Sequence, residues 1–357
     1  MRVLIAAGGT GGHIYPGIAV AQEIVRRRPQ SVVRFVGTAR GLETKLVTRA
    51  GFELSFIDIS GLKNVSPIAR ARGLALLPRS LFSASRVIRE VKPDVVIGAG
   101  GYVSGPVLMT AAFMKRRTVV MESNALPGWT NRMLARFVDR AAVSFEQSLP
   151  YFRGRAVVTG NPVRREFFEI AAKRRDPKRF ELLIFGGSQG AHAINEAMVA
   201  ALSELQDLNE VLQITHQTGT ADLERVRAGY AAAGWGTADV RPYIEDIVTG
   251  FAAADLVICR AGATTTAELI AAGKAAIMIP FPFAADDHQR KNAEALEQAG
   301  AAKVILQEAL GGTRLAEEIK VLVQEPEKID MMERAGRQLS RGDAAAAVVD
   351  LIEQLID

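Results

Sequence analysis

The chain has 357 residues, 48% of them hydrophobic, with 44 Lys and Arg against 39 Asp and Glu, a net charge of +5 and a pI near 9.4. That length supplies the cores of two domains, and the single cysteine, Cys259 in the apolar run 256–259, excludes an intrachain disulfide. No apolar stretch approaches the roughly 18 residues of a membrane span, and the amino terminus enters an apolar strand pattern without signal-peptide features, so a cytoplasmic location is expected.

In chain order, apolar strand patterns alternate with helical ones. Residues 3–7 precede a helix over 17–28, and residues 32–36 precede a helix near 42–50. Further strands fall at 95–97, 118–121, 141–144 and 157–159, before the turn-rich break Gly160-Asn161-Pro162. A second series follows, with strands at 182–185, 211–215, 240–241, 256–259, 276–279 and 303–305. Helices lie between them at 191–202, 221–232, 265–272 and 289–299. This rhythm predicts an α/β protein of two Rossmann-like, doubly wound parallel-sheet domains, 1–162 and 163–342, facing an interdomain cleft. The amphipathic closing helix, residues 343–357, is expected to pack back on the first domain.

The charge is divided unequally. Residues 1–162 carry 23 Lys and Arg against 9 Asp and Glu, a net +14, and the remainder stands at −9. Such a basic half suits an acidic partner: nucleic acid, an anionic membrane surface or an acidic substrate. A merely solvated surface is the alternative. The stretch 70–89 places apolar residues among Arg70, Arg72, Arg79, Arg86 and Arg89, the pattern of a surface-bound amphipathic element or of a core helix kinked at Pro78.

Three glycine-rich turns stand where a strand pattern gives way to a helix: residues 8–13, 98–106 and 186–192. Glycine lets the backbone approach an anion, and the helix N-terminus beyond it favours negative charge. Neither of two familiar nucleotide patterns fits. After Gly9-Thr10-Gly11 the third glycine of a dinucleotide fingerprint is replaced by Ile14, and strand 32–36 ends in Gly37-Thr38 without an acid. Where a P-loop requires lysine, the chain has His13 and His192. The four histidines fall on separate elements, with no paired-cysteine or HExxH pattern, so neither a metal nor a cofactor is implied.

Other residues at these turns carry candidate chemistry. His13 admits two roles, a general base for a hydroxyl or a hydrogen-bond partner that only positions. Asn124 in the turn 122–128 offers an amide to sugar hydroxyls, or forms an Asx turn. Glu268, past the turn 260–266, suits a ribose diol or caps its helix.

The ordered set GGTGGHIYPGIAVA (8–21), GAGGYVSGP (98–106), ESNALPG (122–128), GNPVR (160–164), GGSQGAHAIN (186–195), RAGATTTAEL (260–269) and DDHQRKNA (286–293) closely resembles the MurG family of bacterial N-acetylglucosaminyltransferases, over essentially the whole chain. The resemblance implies a GT-B fold and inverting transfer of N-acetylglucosamine from UDP-GlcNAc to the 4-hydroxyl of the muramoyl sugar in lipid I, undecaprenyl-diphosphoryl-MurNAc-pentapeptide. The product is lipid II, a peptidoglycan precursor. It also implies a peripheral protein on the cytoplasmic face of the bacterial plasma membrane, with an anionic membrane surface and no nucleic acid among its partners.

Its implied site residues follow the motifs. Ser188 and Gln189, with Arg164, would bind the UDP diphosphate. Ile244 would meet uracil through its backbone, and Glu268 would hold the ribose beside Ala263, Thr264, Thr265, Thr266 and Ala267. His288, Gln289 and Asn124 would face the GlcNAc; some relatives carry a glutamine pair where this chain reads His288-Gln289. Thr10, Gly11 and Gly12 would line the active site with His13 as candidate base. The acceptor diphosphate would lie on Gly9, Thr10, Gly11, Gly12, Gly100, Gly101 and Tyr102. A UDP-GlcNAc 2-epimerase, another GT-B glycosyltransferase and a two-lobed solute-binding protein are the competing readings.

Overall fold

The computed structural model describes residues 1–9, 11–39, 41–59, 77–176, 178–187, 189–340 and 342–356. Thr10, Ser188 and the 70–76 part of the basic apolar stretch therefore lie outside the described residues. The chain divides into two units, Met1–Arg164 with Asp343–Asp357, and Arg165–Gly342.

The first unit is built on a parallel sheet of seven strands: β1 (Arg2–Ala7), β2 (Val32–Gly37), β3 (Glu53–Phe56), β4 (Val95–Gly100), β5 (Arg117–Glu122), β6 (Arg140–Val143) and β7 (Ala156–Val158), in the order 3-2-1-4-5-6-7. Val3 through Ala7 have no exposed surface, so both faces of β1 are covered. One face packs on Ile14, Ala21 and Ile24 of the helix Gly11–Arg27; the other packs on Val103 and Val107 of Gly101–Phe113 and on Ile88 of Leu77–Val91. The chain leaves β1 toward β2 on one side and leaves β4 toward β5 on the other. This topological switch puts the turns after β1 and β4 side by side at the carboxyl ends of the strands.

The helix over Gly11–Arg27 starts six residues before the expected 17, with Pro16 inside it. Pro16 is the sixth residue, so the helix gives up one backbone bond to it. Pro106 occupies the same sixth place in Gly101–Phe113. Pro78 lies at the described start of the helix Leu77–Val91, and the residues before it lie outside the described residues. Strand β3 escaped the sequence reading because Glu53 and Ser55 interrupt a run of only four residues.

The C-terminal helix Ala344–Ile356 buries Val348, Val349, Leu351 and Ile352 in the core that also holds Ile14 and Ile24. Charge pairs edge this packing: Arg27 meets Glu353 at 3.3 Å and Arg28 meets it at 2.7 Å, while Glu23 holds Arg26 and Arg27 at 2.7 and 2.6 Å. These guanidinium bonds, Arg26 foremost, pull the Glu23 carboxyl down to about 2 against the opposing effect of burial.

The second unit repeats the plan with β8 (Phe180–Phe185), β9 (Leu212–Gln217), β10 (Asp239–Arg241), β11 (Leu256–Cys259), β12 (Ala276–Met278) and β13 (Lys303–Val304), all parallel in the order 10-9-8-11-12-13. Leu182, Ile184, Ile214 and Ile258 form its core with Met198, Trp235 and Ile319. Cys259 is fully buried, and burial pushes its thiol up, away from reactivity. The switch between β8 and β11 again sets two turns side by side, those after residues 185 and 259. The expected two-domain α/β architecture is thus borne out.

Candidate functional site

In the first unit the two glycine turns touch. Gly100 has φ +113°, and a Cβ there would lie 2.3 Å from Nδ1 of His13. Gly101 has φ +77°, and a Cβ there would lie 2.1 Å from the Gly8 carbonyl oxygen. Only glycine tolerates both the left-handed backbone and this approach. The His13 ring therefore lies against the second turn, at the start of the helix that the first turn opens. Ser104 fastens the second turn: its hydroxyl accepts the Gly100 N–H at 2.9 Å and lies 2.9 Å from the Ala6 carbonyl at the end of β1. Gly11–Arg27 and Gly101–Phe113 both begin here without an acidic residue in their first turns, so their unsatisfied amides and positive dipole ends favour an anion.

Asn124 is held by a buried carboxylate that the sequence reading left without a role. Glu122, 3% exposed, accepts the Asn124 N–H at 2.9 Å, its side-chain amide at 3.0 Å, the Gly128 N–H at 2.9 Å and the Asn131 amide at 2.9 Å. Burial raises the Glu122 carboxyl, and the Asn124, Asn131 and Gly128 donors oppose that rise. The Asn124 and Ala125 carbonyls lie 2.9 and 3.0 Å from the Ser148 hydroxyl. The turn is thus built from below by side chains on three segments. Arg164 is exposed at the end of the first unit.

In the second unit the turn 186–190 packs against Thr218-Gly219. Gly190 has φ +75°, and a Cβ there would meet the Thr218 carbonyl oxygen at 1.8 Å. Gln217, 4% exposed, ties two expected parts of the site together: its amide donates to the Gly187 carbonyl at 2.8 Å, and its carbonyl oxygen accepts the Ile244 N–H at 2.7 Å. The Ile244 amide is therefore occupied.

The second turn of this unit leads into the helix Ala263–Ala272, whose first turn is Ala263, Thr264, Thr265 and Thr266. Thr266 returns its hydroxyl to the Gly262 carbonyl at 2.9 Å. The Thr264 hydroxyl is buried without a hydrogen-bond partner among the described residues. Ala267 is buried and Glu268 half-buried. Glu268 is the sixth residue of the helix, beyond the turn where a carboxylate caps.

Arg260 organises the neighbouring loop. Its guanidinium donates to the Ile279 and Pro280 carbonyls at 3.2 Å and to Gln307 at 2.6 Å, and stacks 5.4 Å from the Phe281 ring centroid. Gln289 accepts the Phe281 N–H at 3.0 Å, and the His288 Nδ1 lies 2.5 Å from the Ala285 carbonyl. Asp286 and Asp287 precede them with φ of +55° and +53°, two successive non-glycine residues in the left-handed region. Backbone strain of this kind, of order 1–3 kcal/mol per residue, concentrates at ligand-binding segments. Asn292, fully buried, donates to the Ala261 carbonyl at 3.2 Å and so links this helix to the Arg260 turn.

The described residues contain no cluster of three or more His, Cys, Asp and Glu placed to hold a metal. The loops present amides, hydroxyls, imidazoles and carboxylates: groups that bind phosphate and sugar and can move a proton.

Comparisons with known proteins agree with this chemistry. Residues 3–143 match the glycosyltransferase family 28 N-terminal domain, and residues 181–355 match the C-terminal domain of the same family. A protein of Anaeromyxobacter sp. (strain Fw109-5), named UDP-N-acetylglucosamine--N-acetylmuramyl-(pentapeptide) pyrophosphoryl-undecaprenol N-acetylglucosamine transferase, is 48% identical over 100% of this chain and 94% of its own length. The crystal structure of Acinetobacter baumannii MurG superposes with a TM-score of 0.83 at 34% identity, covering 99% of each chain. A UDP-GlcNAc 2-epimerase from Neisseria meningitidis bound to UDP-GlcNAc reaches a TM-score of 0.72, covering 99% of this chain and 100% of its own, at only 13% identity, a likeness of fold alone.

Proposed function

Since the chain belongs to the MurG family of glycosyltransferases, we infer its reaction from that membership. It transfers N-acetylglucosamine from UDP-GlcNAc to undecaprenyl-diphosphoryl-MurNAc-pentapeptide and produces lipid II. The carrying observation is the full-length 48% identity to a transferase of that name, together with two sheets that each present a glycine turn and a helix N-terminus at their switch point. The epimerase and solute-binding alternatives account for a Rossmann-like fold but not for that identity.

In the mechanism proposed for these residues, the muramoyl 4-hydroxyl oxygen attacks C1 of the GlcNAc from the face opposite UDP. The C1–O bond to the diphosphate breaks as the new C1–O bond forms, and the configuration inverts. His13 takes the hydroxyl proton, and UDP leaves with the bonding electron pair. Amides at the start of His192–Ala201, with Arg164, neutralise the diphosphate. Glu268 accepts from the ribose diol and the Ile244 carbonyl accepts from the uracil imide. Gln289, His288 and Asn124 bind the sugar. The acceptor diphosphate lies on the turns at Gly9, Gly11, Gly12, Gly100 and Gly101.

We place the enzyme at an anionic membrane surface on the cytoplasmic side. Among the described residues no helix is long and apolar enough to cross a membrane. The helix Leu77–Val91 exposes Phe82 (71%) among Arg79, Arg86 and Arg89, and Phe113 of the adjoining helix is equally exposed, its ring 6.2 Å from that of Phe137. Exposed aromatics within a basic surface favour shallow insertion beside anionic headgroups.

The direct test supplies purified protein with radiolabelled UDP-GlcNAc and lipid I, with and without a chelator. Label should enter a lipid product equally in both. Release of free sugar without a lipid product, or epimerised UDP-sugar, would overturn the assignment.

A further inference from the structure

Behind the acceptor-side turns stands a carboxylate that none of the motifs includes. Glu43, the first residue of the helix Glu43–Arg49, has no exposed surface. Three glycines leave it room: a Cβ on Gly8, Gly37 or Gly41 would come within 3.1, 2.5 or 2.0 Å of its side chain. One carboxylate oxygen accepts both the backbone N–H and the hydroxyl of Thr38, each at 2.8 Å, and the other faces the Gly9 N–H at 3.4 Å. The Thr38 hydroxyl oxygen lies in turn 3.3 Å from the Tyr102 hydroxyl.

Proton accounting sets the direction of this chain. A threonine hydroxyl has one proton, and that of Thr38 goes to the carboxylate. Tyr102 must therefore donate to Thr38, which commits its phenolic proton inward. The Gly9 N–H is committed to Glu43 in the same way. A negative charge behind an anion-binding turn weakens the local attraction for phosphate, so its use here is geometric. It holds the turns after β1 and β4 in one relation through a residue at the end of β2.

We propose that Glu43 is a positioning residue for the acceptor substrate. It fixes Gly9 directly and Tyr102 through Thr38, and thereby leaves the Gly11 and Gly12 amides at the helix start as the donors for the acceptor diphosphate. This proposal rests on the reading above that the first unit binds the acceptor.

The experiment compares the parent with Glu43→Gln, Thr38→Val and Thr38→Ser. Steady-state kinetics are measured with lipid I varied, UDP affinity by calorimetry and folding by thermal melting. Glu43→Gln keeps the shape but sets an NH2 group against one of the donors, so kcat/KM for the acceptor should fall by roughly 30-fold or more. UDP affinity should stay within about twofold of the parent. Thr38→Val should lose roughly fivefold on the same measure, and Thr38→Ser, which keeps the hydroxyl, should regain parental values. A folded Glu43→Gln with parental acceptor kinetics, or one that loses UDP affinity in the same proportion, would overturn the proposal. If Glu43→Gln does not fold, the threonine pair decides: equal acceptor kinetics in Thr38→Val and Thr38→Ser reject it. A parent without turnover would instead remove the functional reading and this proposal with it.

Discussion

His13 and Glu268 carry separate parts of the proposed chemistry, so removing each should leave a different kinetic trace. With His13→Ala, a lost general base lowers kcat by about 10²- to 10⁴-fold while UDP affinity is kept. A loss of less than about tenfold would reduce His13 to a residue that positions. With Glu268→Ala, a lost pair of charge-assisted bonds weakens UDP binding by roughly 10- to 100-fold, and equal affinity in variant and parent would remove the ribose assignment. Both residues are singled out by the sequence because each sits beside a glycine turn within a short motif. Glu43 and Gln217 carry no such mark. Glu43 reaches Gly9 across 34 residues, and Gln217 joins Gly187 to Ile244. Each gains its role only when segments distant in sequence meet, which no local spacing records.

At the scale of elements, the strands were more legible than the helix ends. Strands such as β1 and β4 are continuous apolar runs because both faces are covered. The start at Gly11 was hidden because Pro16 reads as a helix beginning, although the helix accepts it one turn further in. The helix Leu77–Val91 shows why a charge pattern needs a surface to be interpreted. Ala84, Val87 and Ile88 are its core side, whereas Arg79, Phe82, Arg86 and Arg89 face solvent. Replacing both Phe82 and Phe113 by Ser removes two aromatic groups worth up to roughly 1.5–3 kcal/mol each when buried, without disturbing the core side. Retention on anionic vesicles at low salt should fall by about tenfold or more, and transfer to a water-soluble acceptor analogue should be unchanged. Raising the salt should release the parent as well, since the arginine contribution is screened. Parent-like retention of the double variant would sink the membrane assignment.

Across the whole molecule, one topology used twice explains why two turns of similar design occur in one chain, but the two units carry different ionisable cores. Only the second has a buried histidine: His216, with no exposed surface, lies with Nδ1 3.0 Å from the Tyr230 hydroxyl and Nε2 3.1 Å from the Asn195 side-chain oxygen. Tyr230 donates to one ring nitrogen and the other donates to Asn195, so the ring is neutral with both nitrogens used. Burial holds its pKa down to about 3, against 6.5 for an ordinary histidine. Between those values the unfolded chain binds a proton that the folded unit refuses, so folding stability falls as pH drops below 6.5. The slope approaches about 1.4 kcal/mol per pH unit, and this dependence ends near pH 3. Trp235, buried in the same core with its indole N–H on the Leu202 carbonyl at 3.2 Å, reports the loss, provided that the exposed Trp129 is first replaced by Phe. In that background, the urea midpoint followed by Trp235 fluorescence should decline steadily from pH 6.5 to 4.5. His216→Asn should lower the midpoint at neutral pH, where Tyr230 loses its partner, yet flatten the decline, because asparagine takes up no proton. An equally steep decline in the variant would show that other groups set the acid sensitivity of this unit.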